Sequence, residues 1–273
     1  MPFATLTAAQ RIQTYLDRIG YAGSTAPTAP NLAALQHAHL KAVPYENFDI
    51  LRGKRLCYDT ETLFDKIVTA RRGGYCFELN GLFGWLLRQL GYPVTDWFAR
   101  YLRDEPTLPA RRHRVLRVEA GGEVWVADVG VGGVVPRFPL RLVEGVEQPQ
   151  DAGASSTRRV RPAQGLECYR LVRDEMLGWV VQEWRHGAWS AYFSFTEEPQ
   201  MEIDFSMPSF YCEYAPESPF NKEPIAAILA ADGRKTLDGD TLKVFSPDGV
   251  AVTQLQGPAF DAALKEHFGI VLD

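Results

Sequence analysis

The sequence predicts an α+β protein built from three consecutive units, and three observations carry that prediction. Apolar positions recur at helical spacing through the first ninety or so residues, between recognisable cap and stop signals. After Pro93 the period changes to 2, and from about residue 199 prolines, short strands and a closing helix alternate. At 273 residues the chain exceeds the usual size of one compact core, in keeping with a partition into 1–91, 92–198 and 199–273.

In the first unit, Thr7 followed by Gln10 reads as a capping box, and Ile12, Tyr15, Leu16 and Ile19 then recur at helical spacing until Gly20. Asn31 caps a second predicted helix through Leu40, which Pro44 ends; Thr60 caps a third through Arg71, which Gly73-Gly74 ends. A fourth helix is expected from Cys76 to Leu90, with Gly91 as its stop. Cys76 is thereby placed at a helix N-terminus.

In the second unit, Val115 to Val118, a turn at Ala120-Gly121-Gly122-Glu123, and Val124-Trp125-Val126 read as a hairpin. Cys168 to Val172, Trp179 to Trp184 and Trp189 to Phe195 are further strands, the last two joined at His186-Gly187, so that an antiparallel meander closing into a small barrel is expected. Glu147 to Arg158, rich in Gly, Ala, Ser and Gln, reads as a loop. In the third unit Pro199 to Tyr211 has partial helical character interrupted by Pro208. Strands follow at Ile225 to Ala230 and Thr241 to Val244, with turns at Asp232-Gly233 and Asp248-Gly249 and a last helix from Pro258 to Phe268.

Composition removes several function classes. With 46% hydrophobic and 23% charged residues the chain is neither disordered nor fibrous, and a net charge of -5 without a long basic run lacks the electrostatic footprint of a nucleic-acid binder. The clusters Arg71-Arg72, Arg111-Arg112-His113-Arg114 and Arg158-Arg159-Val160-Arg161 are short; each reads as solvated surface, or as a phosphate receptor if it stands beside an active site. No apolar run is long enough to span a membrane, and the N-terminus lacks a basic segment followed by an apolar one, so a cytoplasmic protein is expected. Cys57, Cys76, Cys168 and Cys212 are scattered, with no Cys-x-x-Cys pair and no grouped His, which argues against a metal site or a disulfide framework.

The question is then which thiol reacts. Cys76 follows Arg72-Gly73-Gly74-Tyr75, where two glycines permit a sharp turn, and it opens a helix whose free N–H groups and positive dipole end favour a thiolate. Those N–H groups also suit an oxyanion. A nucleophilic thiol gains from an imidazole, and the imidazole from a carboxylate that fixes its tautomer. His113 starts the first hairpin strand and Asp128 follows the second, so pairing through the Gly121-Gly122 turn would set them side by side. Each has a bland reading: a buried core cysteine, a surface histidine, an aspartate in a glycine-rich turn.

Four ordered blocks carry a resemblance. Arg72-Gly73-Gly74-Tyr75-Cys76-Phe77-Glu78-Leu79-Asn80-Gly81 resembles the active-site signature of the arylamine N-acetyltransferases, and His37 to Asp49, with Pro44-Tyr45-Glu46-Asn47, resembles an upstream block of that family. His113-Arg114-Val115-Leu116 and Asp128-Val129-Gly130-Val131-Gly132 resemble the segments that supply the family's His and Asp. The resemblance implies a helical N-terminal domain, an antiparallel β-barrel and a C-terminal α/β lid, with a papain-like Cys-His-Asp arrangement. It further implies acetyl-CoA as donor cosubstrate, no metal, and aromatic amines or hydrazines as acceptors in a ping-pong reaction. By position Cys76 would be nucleophile, His113 its base and Asp128 the orienting carboxylate, whereas Arg72, Glu78 and Asn80 would pair charges and hydrogen bonds.

Tyr45 and Val131 stand where the family carries pocket-lining phenylalanines; Tyr101 and Phe205 are further pocket candidates, with core packing the alternative for all four. Arg111, Arg112, Gly132 and Ser218 are candidates for contact with CoA, and solvent exposure is the alternative for the two arginines. The sequence departs from the family pattern in three places. Val131 replaces a ring, Tyr214 and Ala215 interrupt a motif that keeps Pro216, Ser218 and Phe220, and the loop from Pro106 to Arg112 lacks the small Thr-Gly or Ser-Gly pair often found before the family's histidine. Val131 and the altered motif around Tyr214 and Ala215 would suit a larger substrate and leave room for an amide synthase of the same fold, which closes macrolactams from carrier-bound chains. A hydrolase with the same residue order and a non-enzymatic module with a buried Cys76 are the remaining alternatives.

Overall fold

The computed structural model describes residues 1–150, 167–231 and 233–272. The loop expected over Glu147 to Arg158 runs beyond the described residues from 151 onward, and the 158–161 arginine cluster and Asp232 also fall outside them.

Local signals set the first helices. Thr7 and Gln10 form the reciprocal capping box ahead of α1 (Ala8–Arg18), with Gln10 N donating to Thr7 Oγ1 at 3.3 Å and Thr7 N to Gln10 Oε1 at 2.9 Å. The second helix, α2 (Ala29–Ala42), starts earlier than expected because Thr28 is its cap and Pro30 sits in the first turn, where a missing N–H costs nothing. A short α3 (Phe48–Leu51) precedes α4 (Thr60–Phe64), capped by Asp59 through the Thr62 amide at 2.9 Å and continued by a wider turn over Asp65–Thr69. Arg71, at φ 57°, ends that segment before the glycines do. The central α5 (Cys76–Gln89) begins where Glu78 reaches back to accept from the Tyr75 amide at 3.0 Å. Ten of its fourteen residues are buried.

The antiparallel sheet against α5 has eight strands: β2 (Val94–Tyr101), β3 (His113–Ala120), β4 (Glu123–Ala127), β5 (Leu140–Arg141), β6 (Gln148–Pro149), β7 (Cys168–Asp174), β8 (Gly178–Arg185) and β9 (Ala188–Gln200), after β1 (Tyr45–Glu46) earlier in the chain. Their spatial order is β5-β4-β3-β2-β9-β8-β7-β6. The outer strands β5 and β6 are bridged by the Gln148 side chain, which accepts from Arg141 N at 2.7 Å and donates to Arg141 O at 3.0 Å, so the sheet is a nearly closed barrel. The first half of β3, His113 to Leu116, is buried on both faces, because α5 covers the outside while Trp97, stacked on Phe195 at 5.2 Å, belongs to the core of large fully buried side chains.

The chain returns through α6 (Ser206–Tyr214), whose Pro208 lies harmlessly in the first turn. A second antiparallel sheet follows, of β10 (Ile225–Ala230), β11 (Gly233–Asp238), β12 (Thr241–Ser246) and β13 (Gly249–Gln254), and α7 (Pro258–Ala263) packs below it with a last wider turn over Leu264–Phe268. Its first strand is β1, paired to β10 through Tyr45↔Ala227 and Glu46↔Ala226. The α+β class with helices, barrel and C-terminal α/β region is the one the sequence predicts. Among the described residues no helix is long and apolar enough to cross a membrane.

Candidate active site

Cys76 opens α5 and is buried at 2% exposure; the adjacent residue on the same helix face, one turn on, is Asn80. Asn80 ties that helix to the hairpin of β3 and β4: its Nδ2 donates to Arg114 O at 2.6 Å and to Asp128 Oδ1 at 2.8 Å, and its Oδ1 accepts from Val129 N at 2.9 Å. Gly130 passes so close behind Cys76 that a Cβ would stand 2.7 Å from the Cys76 Cα. The hairpin places His113 at its first residue and Asp128 one residue past its end, and His113 Nε2 meets Asp128 Oδ2 at 2.7 Å. Asp128 Oδ1 also accepts from Gly130 N at 2.8 Å, so both carboxylate oxygens are engaged.

Cys76 and His113 share one cavity of about 230 Å³. The sulfur lies 3.6 Å from the carbonyl oxygen of Arg112, the residue before His113. Burial pushes the Cys76 thiol up; Cys212 and Asp128 add to that, whereas the backbone N–H groups of Arg114 and Phe77 pull it down. The N–H groups at the helix start thus favour the thiolate in the expected direction but are opposed by burial. Desolvation outweighs the few N–H donors on offer, and a thiolate here requires a protonated imidazole beside it.

Of the expected pocket residues, Tyr45, Tyr101 and Val131 line this cavity, as do Gly132 and Arg112. Phe205 does not. It is fully buried, edge-on to Phe98 at 4.8 Å, 5.5 Å from the Phe77 ring of α5 and beneath the Arg114 guanidinium at 4.4 Å, and so packs between the barrel and α5. The ring that does line the cavity is Phe220, which reaches it with Pro219 and Ile225 from the last unit. The signal for it is present in the sequence, since Phe220 ends the motif of which Ser218 is part. Ser218 is fully buried, its Oγ donating to Cys212 O at 2.6 Å and accepting from Phe220 N at 3.2 Å; it shapes the turn that presents Phe220 and does not line this cavity. Arg111 also lies outside the cavity, 3.6 Å from Glu198 on the surface. Glu105, which lines the cavity and pairs with Arg112, carries no sequence signal. A larger depression of about 580 Å³ near His37 and Arg137 shares no residue with this one and contains no thiol.

The remaining signature residues hold the frame. Arg72 bonds Glu46 Oε1 through Nη2 at 2.7 Å and Asp49 at 3.2 Å, Lys66 bridges Asp49 at 2.8 Å and Glu78 at 2.7 Å, and all five side chains are largely buried. Gly73 is needed for a close approach, not for a turn: a Cβ there would stand 2.0 Å from Pro44 O. Asn47 secures the last unit, its Nδ2 donating to Phe220 O and Glu223 O, each at 2.8 Å, while its Oδ1 accepts from Ile225 N at 2.8 Å.

The sequence profile of the N-acetyltransferase family matches residues 28–273. The arylamine N-acetyltransferase of Mycobacterium tuberculosis is 36% identical over 266 residues, covering 95% of this chain and 89% of the relative. The chain belongs to the arylamine N-acetyltransferase family. Its Escherichia coli relative is 34% identical over 263 residues, with 95% and 88% covered. Among solved arylamine N-acetyltransferases, that of Mycobacterium marinum in complex with CoA superposes with a TM-score of 0.82 at 36% identity, covering 95% of this chain and 92% of that one. That of Salmonella typhimurium gives 0.85 at 31% identity, covering 95% and 91%.

Proposed function

We propose that the protein transfers acetyl from acetyl-CoA to aromatic amines and hydrazines by a ping-pong reaction through an acetyl-Cys76 intermediate. The observation that carries this reading is the 2.7 Å bond from His113 to Asp128, with Cys76 and His113 on the wall of one cavity. Asp128 takes Nε2, which leaves Nδ1 of His113 as the nitrogen for the thiol proton. Cys76 gives its proton to His113 and attacks the thioester carbonyl; the imidazolium then returns the proton to the departing CoA sulfur. In the second half the acceptor nitrogen attacks the acetyl carbonyl, His113 takes its proton, and Cys76 leaves as the thiolate.

The walls suit a flat aromatic acceptor, because Tyr45, Tyr101 and Phe220 contribute rings to them. Relatives named as arylamine N-acetyltransferases, one of them solved with CoA, support both the donor and the acceptor class. All four cysteines are free thiols, in keeping with a reducing cytoplasm. Initial rates with acetyl-CoA and an arylhydrazine both varied are expected to give parallel double-reciprocal lines, together with isotope exchange between CoA and acetyl-CoA when no acceptor is present. Intersecting lines without exchange would overturn the acetyl-enzyme.

A further inference from the structure

The segment between β2 and β3 brings two charged side chains, Glu105 and Arg112, to the wall of the cavity that holds Cys76. Arg112 immediately precedes His113, so the strand start that fixes the imidazole also fixes the arginine. Its side chain is 12% exposed, pairs through Nη2 with one oxygen of Glu105, and lies 5.9 Å from the Phe220 ring centroid. A guanidinium presents five N–H donors in a rigid fork that matches a carboxylate. A single contact to Glu105 leaves most of that fork for whatever enters the cavity.

We infer that Arg112 selects the acceptor, favouring aromatic amines that carry a carboxylate on the ring away from the reacting nitrogen, with Glu105 holding the guanidinium in place between turnovers. The inference rests on the acetyl-transfer reading above. Two features favour an acceptor carboxylate over a phosphate of CoA. The thioester must reach Cys76, and the diphosphate then lies a whole pantetheine arm away, beyond the reach of an arginine whose own carbonyl is 3.6 Å from that sulfur. In addition, the contact to Glu105 shows the guanidinium placed to meet a carboxylate inside this cavity, where the several charges of a diphosphate would also face Glu105 itself.

The test compares 4-aminobenzoate with 4-aminobenzamide, the same ring with an uncharged group, in the wild type, Arg112→Gln and Glu105→Gln. The readout is the ratio of the two kcat/KM values, in which intrinsic amine reactivity cancels between variants. Arg112→Gln is expected to lower the wild-type preference for the benzoate by about tenfold or more, chiefly through KM. Glu105→Gln is expected to raise it, since the competing internal carboxylate is gone. An unchanged ratio in Arg112→Gln overturns the inference, as does a rise in the KM for acetyl-CoA common to both acceptors, which would assign Arg112 to CoA. Acetylation of the benzamide by the wild type establishes the transfer itself, so that a flat ratio then counts against Arg112 alone. Absence of transfer to either acceptor removes the underlying reading and the inference with it.

Discussion

At Cys76 two demands oppose each other, for a nucleophile shielded from water and for a charge that water would stabilise. Burial raises the thiol, and Asp128 raises it further, so His113 has to supply the positive charge while Asp128 keeps it oriented. The orientation of Asp128 is tightly specified, because Oδ2 faces His113 while Oδ1 accepts from Asn80 and Gly130. In Asp128→Asn the amide nitrogen must replace one of these oxygens. On the Oδ1 side it would oppose two donors; on the other it would donate to Nε2 and force the ring proton onto Nδ1, the nitrogen required for the thiol. We predict that kcat of Asp128→Asn with an arylhydrazine falls on the order of 10³–10⁴-fold while circular dichroism is retained. Turnover within a few-fold of wild type would show that the carboxylate does not set the tautomer.

Between elements, the site depends on how the short segment around α3 joins the first helices to the last sheet. Asn47 satisfies two carbonyls and one amide of the segment bearing Phe220, so Asn47→Ala strands three partly buried backbone groups. The expected cost is about 2–4 kcal/mol in urea unfolding, with a raised acceptor KM as the Phe220 wall loosens. Unchanged stability and KM would show that the segment is held by other contacts. The sequence displays Asn47 within a recognisable block but offers no means of seeing what it holds, since its partners lie more than 170 residues away. Helix α5 and the β3–β4 hairpin are legible because cap, period and turn chemistry are local. Strand β2 is not: its Asp96 breaks the apolar alternation and is buried only because Arg88 and Arg114 pair with it. Strand β1 is two residues long and carries no period at all. Phe205 escapes sequence reasoning for a related reason, because a phenylalanine beneath an arginine inside a core has the same sequence appearance as one lining a cavity.

Over the whole molecule, a nearly closed barrel delivers the His–Asp pair, a helical layer delivers the thiol, and the last sheet, completed by β1, delivers Phe220. The helical layer also contributes to acid sensitivity. Burial, aided by Arg18, lowers His39 to about 3, and its Nδ1 meets the Tyr15 hydroxyl at 2.9 Å. Below the ordinary value near 6.5 the unfolded chain takes up a proton that the folded protein refuses, so stability is lost as pH falls from about 6.5 toward 3, by about 2 kcal/mol already at pH 5. His39→Gln keeps an acceptor for Tyr15 and does not titrate; its urea midpoint is expected to depend less on pH between 7 and 5 than that of the wild type, and equal slopes would exclude His39 as the source. The proposed reaction makes one thiol out of four an acyl carrier. Intact and peptide mass after mixing with acetyl-CoA alone tests this most directly. One acetyl group on Cys76, discharged on adding an arylhydrazine, is the predicted result; an unmodified Cys76, or an acetyl group that forms equally in Cys76→Ala, would contradict it.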